Sequence, residues 1–207
     1  DYNNLKKDNC INDKKVFVVG NTITDVIKKY LPISNKSKIL ERLKLKKKKY
    51  FLVTLHRPES VDIKKNLSSL LNVFKVLYKK YGYPIIFPIH PRTQAAIKEY
   101  GISLEFPIHD TMSQLQTLQY IKGSEYVISD SGGIPKEAYW MKKKSIVVLK
   151  DLVYPVLEEH NYCMRADYNK ILRCVNNIDK LDTPSFMVKN LLGYGDAAHR
   201  ITEIMNA

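Results

Sequence analysis

Polar residues suited to binding an anion stand directly after a short apolar run, in the Asp-Ser-Gly-Gly stretch at residues 130–133. The apolar run predicts a strand and the residues after the stretch predict a helix. Paired glycines let the backbone approach a ligand closely and adopt a positive φ, and the free amides at a helix N-terminus suit a phosphate. Ser131 adds a hydroxyl donor, and Glu137 can accept from a sugar hydroxyl. An ordinary strand-to-helix turn explains Ser-Gly-Gly equally well.

Histidines follow two further apolar runs. Residues 50–55 are continuously apolar and lead into His56 and Arg57, and residues 84–89 lead into His90. Continuous apolar runs are typical of parallel strands that are covered on both faces. Open α/β sheets place their ligand sites just past the carboxyl ends of such strands. We therefore expect these histidines at a site; the weaker candidates, for which structural roles are favoured, are Glu59 and Arg92.

Strands and helices are predicted to alternate about five times along the chain. This alternation places each group of candidate residues at or just past the end of a strand. We predict strands at residues 14–20, 50–55, 84–90, 103–109, 126–129 and 144–150. Apolar residues at helical spacing predict helices over residues 21–31, 34–49, 61–79, 93–100, 111–121, 134–141, 168–176 and 184–207, the last of them interrupted at residues 193–196. Residues 158–167 are less regular. The alternation predicts an α/β protein with a doubly wound, mostly parallel, Rossmann-like sheet.

The composition is that of a soluble globular protein of one large or two small domains. Of the 207 residues 44% are hydrophobic and 27% are charged, and no apolar run approaches the roughly 20 residues that span a membrane. Three scattered cysteines without CxxC spacing argue against a disulfide framework or a zinc site, and favour a reducing compartment. With no secretory pattern in the polar N-terminal residues, we expect a cytoplasmic protein.

The formal charge of +13 raises the possibility of nucleic acid or an acidic membrane as a partner. The excess is almost entirely lysine, concentrated at residues 44–49 and 142–144 beside apolar strands, where lysine commonly keeps strand edges soluble. Arginines are few, and no aromatic residues alternate with basic ones as in single-strand binding proteins. We expect a solvated surface, with no nucleic acid and no membrane as partner.

Three motifs in this order resemble the UDP-N-acetylglucosamine 2-epimerases: His56-Arg57-x-Glu59, His90-Pro91 and Asp130-Ser131-Gly132-Gly133-x-x-x-Glu137-Ala138. Residues 18–25, Val-Val-Gly-Asn-Thr-x-x-Asp, resemble the segment that crosses between the two domains of that family. Residues 195–201 resemble the opening of its C-terminal helix. The resemblance covers residues 14–205 and implies the two-domain glycosyltransferase-B fold, of which this chain corresponds to the C-terminal half.

The resemblance implies a division of the chain. Residues 1–30 correspond to the crossing segment and its helix, residues 31–190 to a C-terminal UDP-binding domain, and residues 191–207 to a helix that packs back toward the N-terminal domain. That N-terminal domain, which carries the acidic residues credited with moving the C2 proton, has no counterpart here. It is therefore an implied partner, as is a second copy in a homodimer.

The resemblance also implies roles for individual residues. Ser131, Gly132 and Gly133 would hold the diphosphate of UDP, and Glu137 the ribose hydroxyls. His56 and Arg57, the candidate catalytic residues, would lie beside the diphosphate and stabilise UDP as it departs. His90 would lie near the cleft or near a second nucleotide site. As alternatives, His56 is a structural histidine that caps a helix, Arg57 holds a carboxylate of the partner domain, and His90-Pro91 is only a turn.

The implied reaction inverts C2 of a UDP-sugar: UDP is eliminated and then added back from the other face, with no metal or other cofactor. Some relatives instead hydrolyse the intermediate to N-acetylmannosamine and UDP. Lys150-Asp151-Leu-Val-Tyr-Pro155 departs from the Arg-Asp-x-Thr-Glu-Arg-Pro-Glu of the family, and Lys136 replaces an acid. Because lysine lacks the bidentate fork of arginine, the hexose can differ from N-acetylglucosamine.

Two other functions fit the sequence less well. The chain could be the nucleotide-sugar half of a glycosyltransferase of the same fold, which would transfer a sugar to an acceptor without exchanging the C2 proton. It could also be a non-catalytic module that binds nucleic acid through its basic face, with salt-sensitive binding and no response to UDP.

Overall fold

The computed structural model describes residues 16–47, 49–148, 155–159, 163–166, 171–177 and 191–207. Within them five strands form one sheet in the order β2-β1-β3-β4-β5, and each neighbouring pair is parallel. This confirms the predicted parallel α/β sheet. The strands are β1 Phe51–Thr54, β2 Ile85–Ile86, β3 Tyr126–Ser129, β4 Lys144–Val147 and β5 Cys163–Arg165.

Ten helices are described. Polar caps define several starts: the Asn21 side chain accepts from the Ile23 amide, and Ser113 forms a capping box with Gln116. The helices are α1 Thr22–Ser34, α2 Ile39–Arg42, α3 Pro58–Val61, α4 Lys64–Tyr81, α5 Pro91–Glu99, α6 Gln114–Gly123, α7 Ile134–Trp140, α8 Pro155–Glu159, α9 Ile171–Asn176 and α10 Ala197–Met205.

The central strands are buried on both faces, as their continuous apolar sequence predicts. Phe51 and Val53 of β1 belong to a core shared with α4, whereas Leu52 belongs to a second core shared with α6. Successive strand residues point to opposite faces, so an uninterrupted apolar run supplies both cores. Helices therefore cover both faces of the sheet, which makes it doubly wound.

Three strand predictions differ from the structure. The described part of the predicted strand 14–20 pairs with no strand, and Phe17 and Val18 are 57% and 67% exposed. Residues 103–109 contribute only a bridge between Pro88 and His109, in part because Pro107 has no amide to donate. β5 lies in the segment predicted to be less regular; its three residues are too few for a periodic signal.

Two helix predictions also need correction. The helix predicted to end before Pro32 continues to Ser34, since this proline removes only one bond in the last turn. The helix predicted over residues 34–49 is limited to α2. Lys44 adopts a positive φ of 51°, and the Leu45 amide donates back to the Leu40 carbonyl, a bond that ends the helix and returns Leu45 to the core.

The two ends of the described chain meet at α1. Asp25 of α1 accepts hydrogen bonds from the amides of Ala197 and Ala198, at 3.3 and 3.0 Å, and so caps α10. The amide of Asn21 and the hydroxyl of Thr24 both donate to the Leu192 carbonyl, at 2.9 and 3.2 Å. The motifs at residues 18–25 and 195–201 therefore join α1 to α10. Packing of residues 191–207 against a further domain stays a prediction.

Candidate functional site

The order of the strands brings the three sequence motifs to one edge of the sheet. β1 lies between β2 and β3, and all three run in the same direction, so the residues that follow them emerge side by side. The ring centres of His56 and His90 are 5.9 Å apart, and His56 also contacts Asp130. The structure thus groups His56, His90 and the loop at residues 130–133, as expected for the carboxyl edge of a parallel sheet.

Asp130 is fully buried and anchors the segment that carries His56 and Arg57. Its Oδ2 accepts from the backbone amides of both residues, at 2.9 and 2.8 Å. Its Oδ1 lies 3.0 Å from His56 Nδ1, in an ion pair without an aligned hydrogen bond. Burial raises the pKa of the Asp130 carboxyl, but the bonds from His56 and Arg57 outweigh burial and hold this pKa below its ordinary value.

His56 is half-buried, and its pKa is raised above the ordinary 6.5. The main cause is the contact of its side chain with the Asp130 carboxylate; burial and the Arg57 charge act in the opposite direction. A raised pKa increases the protonated fraction near neutral pH, and a cation here suits an anionic ligand. His56 caps no helix: Arg57 occupies the N-cap position of α3.

The loop at residues 130–133 is held by hydroxyl groups. Ser129 accepts from the Ser131 amide at 3.0 Å and shares a 2.6 Å hydrogen bond with the Thr54 hydroxyl. The Ser131 hydroxyl accepts from the Gly133 amide at 3.1 Å, which leaves its own proton free to donate outward. Gly133 has a φ of −86°, so the positive φ expected for this glycine is not used.

Glu137 is buried in α7 with one carboxylate oxygen unsatisfied. Only 4% of the residue is exposed, and Oε1 accepts from the Gln114 side chain at 2.6 Å. Oε2 has no hydrogen-bond partner among the described residues. Burial raises the pKa of this carboxyl, although Gln114 and the Lys136 charge oppose the change. A buried acceptor without a donor costs free energy unless a ligand completes it.

His90 and Arg92 are held by structural contacts. His90 is the N-cap of α5, where its Nδ1 accepts from the Arg92 amide at 3.2 Å. The Arg92 guanidinium forms a two-point ion pair with Asp62, at 2.9 and 2.8 Å. Arg92 is therefore engaged by Asp62, and the N-cap bond leaves only Nε2 of His90 to meet a ligand.

Sequence reasoning missed two residues of the site. The sequence places Asp130 in the predicted loop without showing that it anchors His56, and nothing in the sequence marks Gln114, which orients Glu137. No local signal identifies either contact, since each joins residues that are distant in sequence. Lys150 and Asp151, where the sequence departs from the family pattern, lie outside the described residues.

The described residues contain neither a metal-binding cluster nor a membrane-spanning helix. No group of three or more histidine, cysteine, aspartate or glutamate side chains is arranged to hold a metal ion among them. No helix in the same part of the chain is both long and apolar enough to cross a membrane.

Comparison with known proteins gives a consistent result. The sequence profile of the family described as UDP-N-acetylglucosamine 2-epimerase matches residues 2–206. A UDP-N-acetylglucosamine 2-epimerase homolog of Methanococcus maripaludis is 31% identical over 98% of the chain, and the UDP-N-acetylglucosamine 2-epimerase of Methanocaldococcus jannaschii is 30% identical over 98%. In both cases the match covers 57% of the relative. The chain thus spans little more than half the length of these relatives.

Solved structures of UDP-GlcNAc 2-epimerases share the fold of this chain. The crystal structure of the M. jannaschii UDP-GlcNAc 2-epimerase in complex with UDP-GlcNAc and UDP superimposes with a TM-score of 0.84 at 28% identity, over 99% of this chain and 58% of that one. The Neisseria meningitidis enzyme bound to UDP-GlcNAc, at 22% identity, shares the fold with a TM-score of 0.80 over 98% of this chain and 58% of that one.

Proposed function

Because the chain belongs to the UDP-N-acetylglucosamine 2-epimerase family, we propose that it is the nucleotide-binding half of a UDP-sugar 2-epimerase. The observation that carries the proposal is Glu137, a buried carboxylate with one oxygen unsatisfied, one helical turn beyond Gly133. Vicinal ribose hydroxyls are donors that would complete it, as acidic residues do in dinucleotide folds. The named relatives are epimerases, and one of them binds UDP-GlcNAc and UDP.

The rest of the site has the chemistry that a diphosphate requires. The Ser131 hydroxyl has a proton to donate, and the Arg57 guanidinium pairs with no side chain in the described parts of the chain. His56 carries a raised pKa, precedes Arg57 in the chain, and contacts Asp130, the residue before Ser131. These donors would neutralise the diphosphate in the ground state and stabilise it further as UDP departs. His90 is the more distant contributor, through Nε2.

The reaction we propose for the complete enzyme is inversion at C2 by elimination and re-addition of UDP. The residues that move the C2 proton would come from an N-terminal domain; in support of this, the chain covers only 57% of the M. maripaludis relative and 58% of the M. jannaschii structure. We therefore expect this chain to bind UDP with little turnover by itself. As part of the same proposal, the complete enzyme would form a homodimer. It would be located in the cytoplasm, where nucleotide sugars are found.

Ser131→Ala is expected to weaken binding of UDP about 10-fold or more, since a hydrogen bond to a charged group contributes roughly 1.5–3 kcal/mol. Isothermal titration calorimetry of the chain with UDP, UMP and uridine measures the effect, and the loss should be largest for UDP. Ser69→Ala is the control: it removes an exposed hydroxyl that bonds only to Lys65 on α4. Absence of binding at millimolar UDP to the unsubstituted chain would overturn the proposed function.

Gly133→Ala separates folding from ligand approach. The φ of −86° and ψ of −48° suit alanine, and the added methyl group would meet its nearest neighbour, the Ser131 hydroxyl, at an ordinary 3.7 Å. We expect stability to urea to be unchanged or to rise by up to about 1 kcal/mol. Affinity for UDP should fall about 10-fold if the diphosphate contacts this backbone. Unchanged affinity would remove Gly133 from the phosphate site.

A further inference from the structure

Asp130 is held in place by several hydrogen bonds to the end of β1 and the segment that follows it. The residue is fully buried, and its backbone amide donates to the Thr54 carbonyl at 3.3 Å. Its Oδ2 accepts from two consecutive backbone amides of the neighbouring strand end, those of His56 and Arg57. Three contacts with one segment therefore fix the plane and the direction of the carboxylate.

The remaining oxygen, Oδ1, lies 3.0 Å from Nδ1 of His56, at ion-pair distance though without an aligned hydrogen bond. A carboxylate in this position favours a proton on Nδ1, because an unprotonated Nδ1 would place two lone pairs against each other. We propose that Asp130 is a positioning residue that keeps a proton on Nδ1 of His56 and so reserves Nε2 for the ligand. This inference rests on the proposed function in one respect: the proposed function identifies the ligand as a nucleoside diphosphate.

The groups around the ring are compatible with this arrangement. Asp130 faces the imidazole from the end of β3, His90 from the end of β2, and Arg57 follows in the same segment. Of the two charged groups, Asp130 raises the pKa of His56 and Arg57 lowers it, and the net direction is upward. Nε2 has no partner within the described chain, so a ligand phosphate can occupy that position.

Asp130→Asn is the informative substitution because the backbone dictates how the amide must lie. The amides of His56 and Arg57 are fixed donors, so the asparagine oxygen has to replace Oδ2. The NH₂ group then occupies the place of Oδ1, beside Nδ1 of His56, where it can only donate. Nδ1 must become the acceptor, and the proton moves to Nε2. Imidazolium would face a donor, so the pKa of His56 should fall.

Long-range ¹H–¹⁵N spectra of the chain test this directly, since the two ring nitrogens of a neutral histidine have distinct shifts. The chain contains five histidines, and His56→Gln assigns the relevant signals. We expect the Nδ1–H tautomer in the unsubstituted chain and the Nε2–H tautomer in Asp130→Asn. We also expect the pKa of His56 to lie above 6.5 in the former and to drop in the latter, with UDP affinity near pH 6 about 10-fold weaker.

The unsubstituted chain alone can overturn the inference. An Nε2–H tautomer for His56 in that chain would contradict it, whether or not Asp130→Asn folds. An Asp130→Asn spectrum with unchanged tautomer and pKa would contradict it as well. The tautomer is measured without UDP, so its outcome is separate from that of the UDP titration, on which the proposed function depends.

Discussion

Replacing Glu137 by glutamine is expected to weaken UDP binding by about 10-fold to 100-fold, because hydrogen bonds to a charged acceptor contribute roughly 1.5–3 kcal/mol. The same substitution is expected to stabilise the chain without ligand at pH 7. Glu137 is 4% exposed and no described residue donates to Oε2, so its negative charge is poorly compensated. An amide in the same place carries no charge, which should raise the free energy of unfolding by about 1 kcal/mol or more.

The gain in stability should depend on pH. Burial raises the pKa of Glu137 above its ordinary 4.5 in the folded chain. A group with a raised pKa contributes its stabilisation fully below the unfolded value and loses it as pH rises through the folded value. The unfolding midpoints of Glu137→Gln and the unsubstituted chain should therefore converge as pH falls toward 4.5, and separate at pH 7.

Saturating UDP should reverse the order of stability. Ribose hydroxyls would supply the donors that Oε2 lacks, so UDP should raise the midpoint of the unsubstituted chain far more than that of Glu137→Gln. Glu99→Gln is the matched control, since it makes the same charge change at an exposed position of α5. Wild-type affinity in Glu137→Gln would exclude Glu137 from the ribose site, and a lower midpoint at pH 7 would show that its carboxylate is structurally required.

Gly193→Ala is expected to destabilise the chain by roughly 2–4 kcal/mol, the largest loss we predict for a change of one methyl group. Gly193 has a φ of +85°, a conformation that strains alanine. The added Cβ would also lie 2.8 Å from the Cα of Gly20, so two backbones must separate. The displaced segment carries the Leu192 carbonyl, which accepts from Asn21 and Thr24.

Gly82→Ala provides the control for the strain of a positive φ. Gly82 ends α4 with a φ of +62°, and apart from its two chain neighbours no atom of the described residues lies within 4 Å of the added Cβ. It should therefore cost only about 1 kcal/mol. Urea unfolding of both variants separates strain from contact, and faster hydrogen exchange at Ala197 and Ala198 would locate the damage at the start of α10. Equal losses in the two variants would mean that the close approach to Gly20 contributes nothing.

Local sequence was a good guide where one short segment contains the physical cause. The apolar run at residues 50–55 predicted β1, because burial on both faces requires apolar residues at every position. Asn21 predicted the start of α1, since a cap acts on amides within two or three residues. The strand predictions were wrong where strand formation depends on a neighbouring strand that pairs with the segment. Residues 16–20 are apolar but pair with no described strand, and Pro107 limits residues 103–109 to one bridge.

By itself the sequence determined the parallel α/β class, the helix caps and the motifs that follow three strands, because periodicity and capping act between near neighbours. Only the tertiary structure decided which of these motifs meet. Asp130 contacts His56 across 74 residues of sequence because β1 and β3 are neighbours in the sheet. Gln114 satisfies one oxygen of Glu137, and the other has no donor in the described part of the chain. Strand order creates the contact between Asp130 and His56, and burial creates the unsatisfied oxygen of Glu137. Neither feature can be read from a single residue of the sequence.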